Sequence, residues 1–212
     1  MLERRCTVHQ FDDSRPISVQ ELGALLVRSS RIRSVRAVPV TSPSDQSTLF
    51  EIVERPHPSA GACHELEIYP VIARCDGLAS GMYHYDASDH SLSRIPASDA
   101  DLAGVLGDAR KASCSEANPQ VILAIAARSG RVRRKYSSIG YGNVLRNIGA
   151  VYQALYLAAT ELGLAACGIG SGDSALFARI TGLDPLVEGT VGECIVGRPR
   201  QPDPLFPDRD AA

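Results

Sequence analysis

Apolar residues recur at helical spacing in two long segments of the chain. A capping box formed by Ser18 and Glu21 precedes three leucines with this spacing, which predicts a helix over about residues 18–28. Apolar positions recur every three or four residues over about 140–162 and stop before Gly163, which predicts a longer central helix. Two further helices, a modest one and a short one, are expected in ADLAGVLGDARKAS and DSALFARITGL.

Strand-like segments lie between these helices. The continuous apolar run PQVILAIAARS predicts a strand buried on both faces. Residues 66–74 predict another strand, in which Pro70 lacks the N–H that a ladder needs and indicates an edge or a bulge. Residues 34–60, rich in Ser, Pro and Thr, are expected to form a long irregular segment. Further strands are expected in GMYHYDASDHSLSRI, as a hairpin, and in AACGIGSGD and VGECIVGRP.

The order of these elements and the composition indicate one α+β domain. Helices and strands are mixed without strict βαβ alternation, which is typical of that class. The 212 residues, 44% of them hydrophobic, are enough for a single domain with a core over residues 1–200, followed by a Pro- and Asp-rich tail over 201–212. The formal net charge of −2 favours neither nucleic acid nor a membrane surface as a partner. No apolar run could span a bilayer or serve as a signal peptide, so a cytoplasmic location is expected.

The cysteines and histidines form no recognisable metal site. Six cysteines are scattered without a CxxC pair, which argues against zinc and against a dense disulfide framework, so reduced thiols and no metal are expected. His84 lies in a predicted strand and is expected to be structural. His64 follows Cys63 directly, and because neighbouring strand residues face opposite sides, a nucleophilic dyad is not expected.

The basic run RRKYSSIG places Lys135 and Tyr136 next to Arg131, Arg133 and Arg134. A lysine can serve as a base, and a tyrosine can orient a ligand or stabilise developing negative charge. The alternative is a lysine whose stem packs along the surface and a tyrosine that packs at a helix start. Both side chains can reach one site only if the backbone bends between them.

Three other stretches are candidates for holding a phosphate or a flat ligand. In the N-terminal segment, the alternate residues Arg5, Thr7 and His9 could converge on one phosphate, and Arg198 with Arg200 could form a second clamp. Solvated basic residues near both termini are the alternative. RPHPSAGACHELE predicts a rigid turn whose N–H groups could face an anion or a planar ligand, or an ordinary proline turn. The glycines of GIGSGD have the wrong spacing for a dinucleotide fingerprint, and a tight turn explains them equally well.

Taken together, these stretches resemble the flavin-dependent nitroreductase superfamily, and within it the SagB/ThcOx-type azoline dehydrogenases. That branch oxidises thiazolines and oxazolines to thiazoles and oxazoles in ribosomally synthesised peptides. The resemblance covers about residues 3–198 and implies a three-layer α+β sandwich with a central mixed or antiparallel sheet, flanking helices and a tight homodimer that binds FMN between its subunits. It rests on RRCTVHQFDDSRPIS, PSAGACHELEIY, GLASGMYHYD, the Lys-Tyr pair and AATELGLAACGIGSGD.

The resemblance also implies roles for individual residues. Lys135 and Tyr136 match the pair tied to azoline oxidation, Lys135 as the base and Tyr136 as its assistant. An azoline-containing peptide is then the substrate, and a cyclodehydratase or a leader-binding protein is a partner that could deliver it. The residues that align with contacts to FMN are Arg4, Arg5, Thr7, His9, Pro58, Ser59, Ala60, Gly61, Gly168, Ile169, Gly170 and Arg198.

Other functions remain open at this point. One is a general FMN-dependent reductase that uses NAD(P)H on nitro or quinone compounds and does not need the Lys-Tyr pair. A second is the same ring oxidation on a nonribosomal peptide bound to a carrier protein. A third is a non-catalytic scaffold in a peptide-cyclising complex, which would lack flavin.

Overall fold

A six-stranded antiparallel sheet forms the middle layer of the protein. The computed structural model describes residues 2–41, 47–170 and 172–200. The helices are α1 (Val19–Ser30), α2 (Asp99–Ser113), α3 (Ser129–Arg133), α4 (Gly140–Leu162) and α5 (Ser174–Thr181). The strands are β1 (Ser34–Thr41), β2 (Ser47–Glu54), β3 (Leu66–Ile72), β4 (Gly81–Asp86), β5 (Ser91–Ile95), β6 (Val121–Arg128), β7 (Ala165–Ile169) and β8 (Glu188–Gly197).

Helices cover both faces of this sheet, whose strand order is β5-β4-β3-β6-β8-β7. The core between the sheet and the layer of α1 and α4 includes Leu25 and Leu155, both fully buried. The core on the other face includes Leu102 of α2 and Phe177 of α5. The three-layer α+β sandwich is therefore confirmed, and every strand pairing in the described residues is antiparallel.

Local signals set the ends of two of the predicted helices. The Ser18 Oγ accepts the Glu21 N–H at 3.2 Å while a Glu21 carboxylate oxygen accepts the Ser18 N–H at 2.8 Å, which completes the predicted capping box of α1. Helix α4 ends where Gly163 adopts a left-handed conformation, with φ +67°. A residue with a Cβ is strained in that conformation, so glycine stops the helix at low cost.

The prediction of an irregular segment over 34–60 was wrong. Strands β1 and β2 pair antiparallel from Ser34 with Glu54 to Thr41 with Ser47. The β-branched residues of both segments outweigh the Ser and Pro residues that favoured a loop. Pro39 is tolerated because both strands of a two-stranded sheet are edges, where one missing N–H costs little.

The expectation that Pro70 marks an edge or a bulge was also wrong. Strand β3 lies inside the sheet between β4 and β6. It keeps one register past the proline, pairing Ile68 with Tyr85 and Val71 with Met82. All residues of β3 are buried, so packing on both faces and the pairing with β6 hold the strand in place despite the lost donor.

The described residues also bear on the expectations for membrane spans, for the cysteines and for His84. None of the helices in residues 2–41, 47–170 and 172–200 is long and apolar enough to cross a membrane. All six cysteines are free, and Cys63, Cys75, Cys167 and Cys194 are buried. His84 is structural as predicted, because its Nε2 pairs with the Glu67 carboxylate at 3.2 Å. The predicted tail over 201–212 lies outside the described residues.

One carboxyl group is buried in the layer between the sheet and α2. Glu193 on β8 is 6% exposed and lies in a mostly apolar cleft near Val105 and Asp108. Burial, and secondarily the negative charge of Asp108, raises the pKa of Glu193 to about 7 from an ordinary value of 4.5. The folded protein therefore holds a proton on Glu193 at a pH where the unfolded chain has lost it.

This proton makes the stability of the protein fall as the pH rises. Between pH 4.5 and 7 the unfolded state loses the Glu193 proton first, which favours unfolding by up to about 3 kcal/mol once the pH exceeds 7. Glu193→Gln removes this dependence, so its free energy of unfolding exceeds that of the wild type increasingly from pH 5 to 8. Urea titrations at several pH values measure the difference, with the half-exposed Glu161→Gln as a control. Parallel profiles for wild type and Glu193→Gln would contradict the assignment.

Candidate functional site

A tight turn after α3 brings Lys135 and Tyr136 to the same point. The N–H groups of both residues donate to the Val132 carbonyl, at 3.0 and 2.9 Å, which bends the backbone. Lys135 Nζ donates to the Gly61 carbonyl at 3.1 Å. A methyl group on Gly61 would lie 2.6 Å from Lys135 Nζ and 2.6 Å from Tyr136 Oη. The two adjacent side chains thus converge on one glycine. The bend in the backbone makes this possible.

The loop that carries this glycine has an unusual backbone. Gly61, Ala62 and His64 have φ values of 57°, 53° and 43°. Only glycine adopts this left-handed region freely, so Ala62 and His64 are held there by their surroundings. The absence of a side chain at Gly61 leaves room for the amine and the phenol, so this position requires glycine for two reasons.

Asn147 of α4 holds the loop in this conformation. Its Oδ1 accepts the Ala60 N–H at 2.9 Å, and its Nδ2 donates to Ser59 Oγ at 3.1 Å and to a Glu65 carboxylate oxygen at 2.8 Å. Asn147 is 5% exposed and Glu65 is fully buried. None of the motifs in the sequence indicated Asn147; its signal is a polar residue three positions after Val144 in the apolar stripe of α4.

A second cluster forms around Tyr156, also on α4. Tyr156 Oη lies 3.1 Å from Thr7 Oγ1 and accepts the Gly168 N–H at 2.8 Å. The Arg5 guanidinium carbon lies 5.2 Å from the centre of the Tyr156 ring, a cation–π contact. Burial raises the pKa of Tyr156, so the phenol is neutral at pH 7. None of the motifs in the sequence indicated Tyr156, which joins the N-terminal segment to β7.

The end of β7 rests on a second tyrosine of α4. Tyr152 Oη donates to the Ile169 carbonyl at 2.9 Å, and its ring would lie 3.6 Å from a methyl group on Gly168. A methyl group on Gly170 would meet nothing within 4 Å. Within the described residues, space therefore remains open beside the end of β7, and the hydrogen bond from Tyr152 holds the backbone of that strand in place.

Two predicted phosphate ligands bond to other groups of the protein. His9 Nδ1 bonds to the Ser113 carbonyl at 2.9 Å, at the end of α2 on the opposite face of the sheet from α4. The Arg198 guanidinium pairs with both Glu21 carboxylate oxygens, at 2.8 and 2.9 Å. The structure therefore gives His9 a backbone carbonyl as partner and Arg198 a carboxylate as partner. Arg4 is exposed, as is Pro58.

The two clusters occupy opposite flanks of α4. Asn147 and Tyr156 are nine residues apart, which places them about 14 Å apart along the helix axis and about half a turn apart around it. The first cluster joins α4 to the loop of Gly61, and the second joins it to β7. One chain therefore presents two clusters that face in different directions.

Comparison with known proteins assigns the chain to a family. It matches the nitroreductase family over residues 2–198. A Methanocaldococcus jannaschii protein named as a nitroreductase is 30% identical over 171 residues, which cover 81% of this chain and 77% of that protein.

Solved structures share the fold. A nitroreductase from Anabaena variabilis superposes with a TM-score of 0.67 at 23% identity, over 84% of this chain; the chain spans only 34% of that protein. The E. coli microcin synthetase McbBCD complex with truncated pro-MccB17 bound gives a TM-score of 0.67 at 20% identity, over 90% of this chain and 67% of the matched one. A Desulfovibrio desulfuricans nitroreductase in complex with FMN gives 0.58 at 13% identity, over 94% and 84%. The chain belongs to the nitroreductase family, and the protein is an oxidoreductase of that family.

Proposed function

We propose that the protein is an FMN-dependent dehydrogenase that oxidises thiazoline or oxazoline rings to thiazoles or oxazoles in a peptide. One observation carries this proposal: the amine of Lys135 and the phenol of Tyr136 converge on Gly61 in the loop that the family resemblance places beside the flavin. A reductase of small molecules does not need such a pair. The fold similarity to the microcin synthetase complex supports a peptide as the substrate.

The chemistry requires a base and a hydride acceptor. FMN, when bound, supplies a flat acceptor for a hydride from a ring carbon. The ring also loses a proton from the ring carbon that bears the peptide carbonyl. That carbonyl and the imine of the ring make this proton acidic. Lys135 in its neutral form accepts this proton at Nζ, and Tyr136 donates a hydrogen bond to the oxygen on which charge develops. Each ring thus loses two hydrogens, one as a proton and one as a hydride.

The residues present fit an FMN molecule. The Arg5 guanidinium and the Thr7 hydroxyl offer a cation and a donor for a phosphate beside Tyr156. The open space at Gly170 suits a flat ring next to the strand end. Arg4, His9, Ile169 and Arg198 stay predicted contacts, and Arg198 would exchange Glu21 for the phosphate.

A homodimer would combine the two clusters. The cluster of Arg5 and Tyr156 and the cluster of Gly61 and Lys135 lie on opposite flanks of α4, so one small ligand does not contact both within a single chain. In a twofold dimer both chains use the same surface, and a residue away from the axis contacts a different residue of the partner, so one flank of each helix can meet the other flank of the partner's helix. We expect FMN held by Arg5 of one subunit to lie against the Gly61 loop of the other.

A second candidate function is a general reductase of nitro or quinone compounds that uses NAD(P)H. The family match and the name of the M. jannaschii relative favour it. It differs from the first candidate in its independence from Lys135 and Tyr136. Ring oxidation on a carrier-bound peptide uses the same residues as the first candidate, and a cyclodehydratase or leader-binding protein remains a proposed partner.

Lys135→Ala tests the base directly. We expect azoline oxidation to fall by about 10²- to 10⁴-fold because the proton acceptor is lost, with FMN still bound. Mass spectrometry of a thiazoline peptide incubated with enzyme, FMN and air measures the loss of two hydrogens per ring. Lys111→Ala removes the only other lysine of the chain and should leave the rate unchanged. Equal rates for Lys135→Ala and wild type would remove Lys135 from the mechanism, and NAD(P)H-dependent nitro reduction without ring oxidation would favour the second candidate.

Arg5→Glu tests both the phosphate contact and the shared site. The variant should purify without flavin because a negative charge replaces the predicted phosphate partner. When Arg5→Glu chains are mixed with Lys135→Ala chains, half of the random dimers contain one chain of each kind. Each of these mixed dimers has one intact site out of two, so the mixture should regain about a quarter of the wild-type activity. Flavin absorbance and the peptide assay measure the two effects. Full flavin in Arg5→Glu, or a mixture as inactive as its parts, would contradict the arrangement.

Asn147→Ala tests the anchor of the loop. The substitution leaves the Ala60 N–H and the buried Glu65 without their partner, so we expect a loss of about 1–3 kcal/mol in the free energy of unfolding. Because Lys135 and Tyr136 rest on Gly61, kcat should fall further than that of Asn143→Ala, a buried asparagine one turn away. Denaturant titration and steady-state rates give both values, and equal kcat in the two variants would show that the loop does not depend on Asn147.

A further inference from the structure

Four basic residues, three of them arginines, lie close together in the chain beside the candidate site. Arg131, Arg133, Arg134 and Lys135 form what we call the basic turn. Many arginines elsewhere pair with carboxylates, such as Arg179 with Asp101 at 2.8 Å. Among the residues that the structure describes, the basic turn makes no ion pair. Lys135 Nζ contacts only a neutral carbonyl, so the positive charge of this segment is not neutralised within the described residues.

The basic turn lies against the loop of Gly61 and not at a remote surface. Burial raises the pKa of the Cys63 thiol in this loop, while the charges of Lys135, Arg131 and Arg134 act in the opposite direction. Burial lowers the pKa of His64 in the same loop, and the charge of Arg131 acts in the same direction. Lys135 contacts this loop through the Gly61 carbonyl, and Arg133 and Arg134 directly precede this lysine in the chain, so positive charge lies beside the place where the proposed substrate ring would bind.

Apolar side chains border the same surface. Ile139 and Tyr141, just after the basic turn, are 47% and 71% exposed. Arg133, Arg134 and Lys135 are exposed as well. Cations next to exposed apolar groups fit an extended peptide that carries both acidic and apolar residues, because each kind of side chain then finds a partner.

We infer that the protein selects peptides with acidic residues close to the azoline ring, and that Arg133 and Arg134 bind those carboxylates. This inference rests on the proposed function and adds the class of peptide. The chain as a whole has a net charge of −2, so attraction of an acidic peptide is local. Salt at 0.1 M screens charges beyond about 10 Å, which corresponds to about three residues of extended chain on either side of the ring.

The test compares two synthetic thiazoline peptides that differ only in glutamates or glutamines next to the ring. At an ionic strength of about 0.05 M, the wild type should oxidise the acidic peptide with a kcat/KM about tenfold higher, and at about 1 M the preference should disappear. Arg133→Gln with Arg134→Gln should oxidise the two peptides with equal kcat/KM, because the ratio between the peptides, and not the rate with either one, reports the contact with the glutamates. Arg94→Gln with Arg110→Gln removes the same charge from β5 and α2 and should keep the preference.

Each other outcome separates the inference from the proposed function. If neither peptide is oxidised, the proposed function fails, and fluorescence anisotropy of the labelled peptides still decides whether the acidic one binds more tightly through the basic turn. Equal kcat/KM and equal binding of the two peptides would overturn the inference alone. Loss of flavin in the Arg133 and Arg134 variant would assign the arginines to the cofactor phosphate, and loss of the dimer would assign them to a subunit interface; either result overturns the inference.

Discussion

The hydrogen bonds of one amide, that of Asn147, connect the central helix to the loop on which the candidate site depends. They satisfy the Ala60 N–H, the Ser59 hydroxyl and a fully buried Glu65 at once. The loop needs such an anchor because two of its non-glycine residues hold left-handed conformations, which cost about 1–3 kcal/mol each. Because Lys135 bonds to the Gly61 carbonyl, the position of its amine follows from the position of this loop.

Helix α4 organises both parts of the site and keeps them apart. Its apolar stripe packs on the sheet, and the two edges of that stripe carry Asn147 on one flank and Tyr156 on the other. Hydrogen bonds hold the side chains at both flanks in place before a ligand binds. A ligand that binds there would therefore cost less conformational entropy. In the homodimer that we propose, each site would draw on one flank of α4 from each chain.

Much of the architecture follows from local patterns, and the failures have local causes. The capping box of Ser18, the stop at Gly163 and the buried run of β6 predicted their elements correctly, because each signal acts within a few residues. Composition misled over 34–60, where strand pairing outweighs serines and prolines. Pro70 misled because its cost of one donor is small compared with the burial of a whole strand.

Local patterns along the chain predicted most of the helices and strands, but not β1, β2 or α3. The chain also supplies the residue types available for chemistry and, through resemblance, indicated the family and the residues expected at the flavin. Only the tertiary structure decided that Lys135 and Tyr136 meet at Gly61, that Asn147 and Tyr156 hold the two clusters, and that Arg198 pairs with Glu21. Helical periodicity and capping act between near neighbours, whereas Asn147 and Ser59 are 88 positions apart. Contacts over that separation depend on how the layers pack, which no local pattern contains.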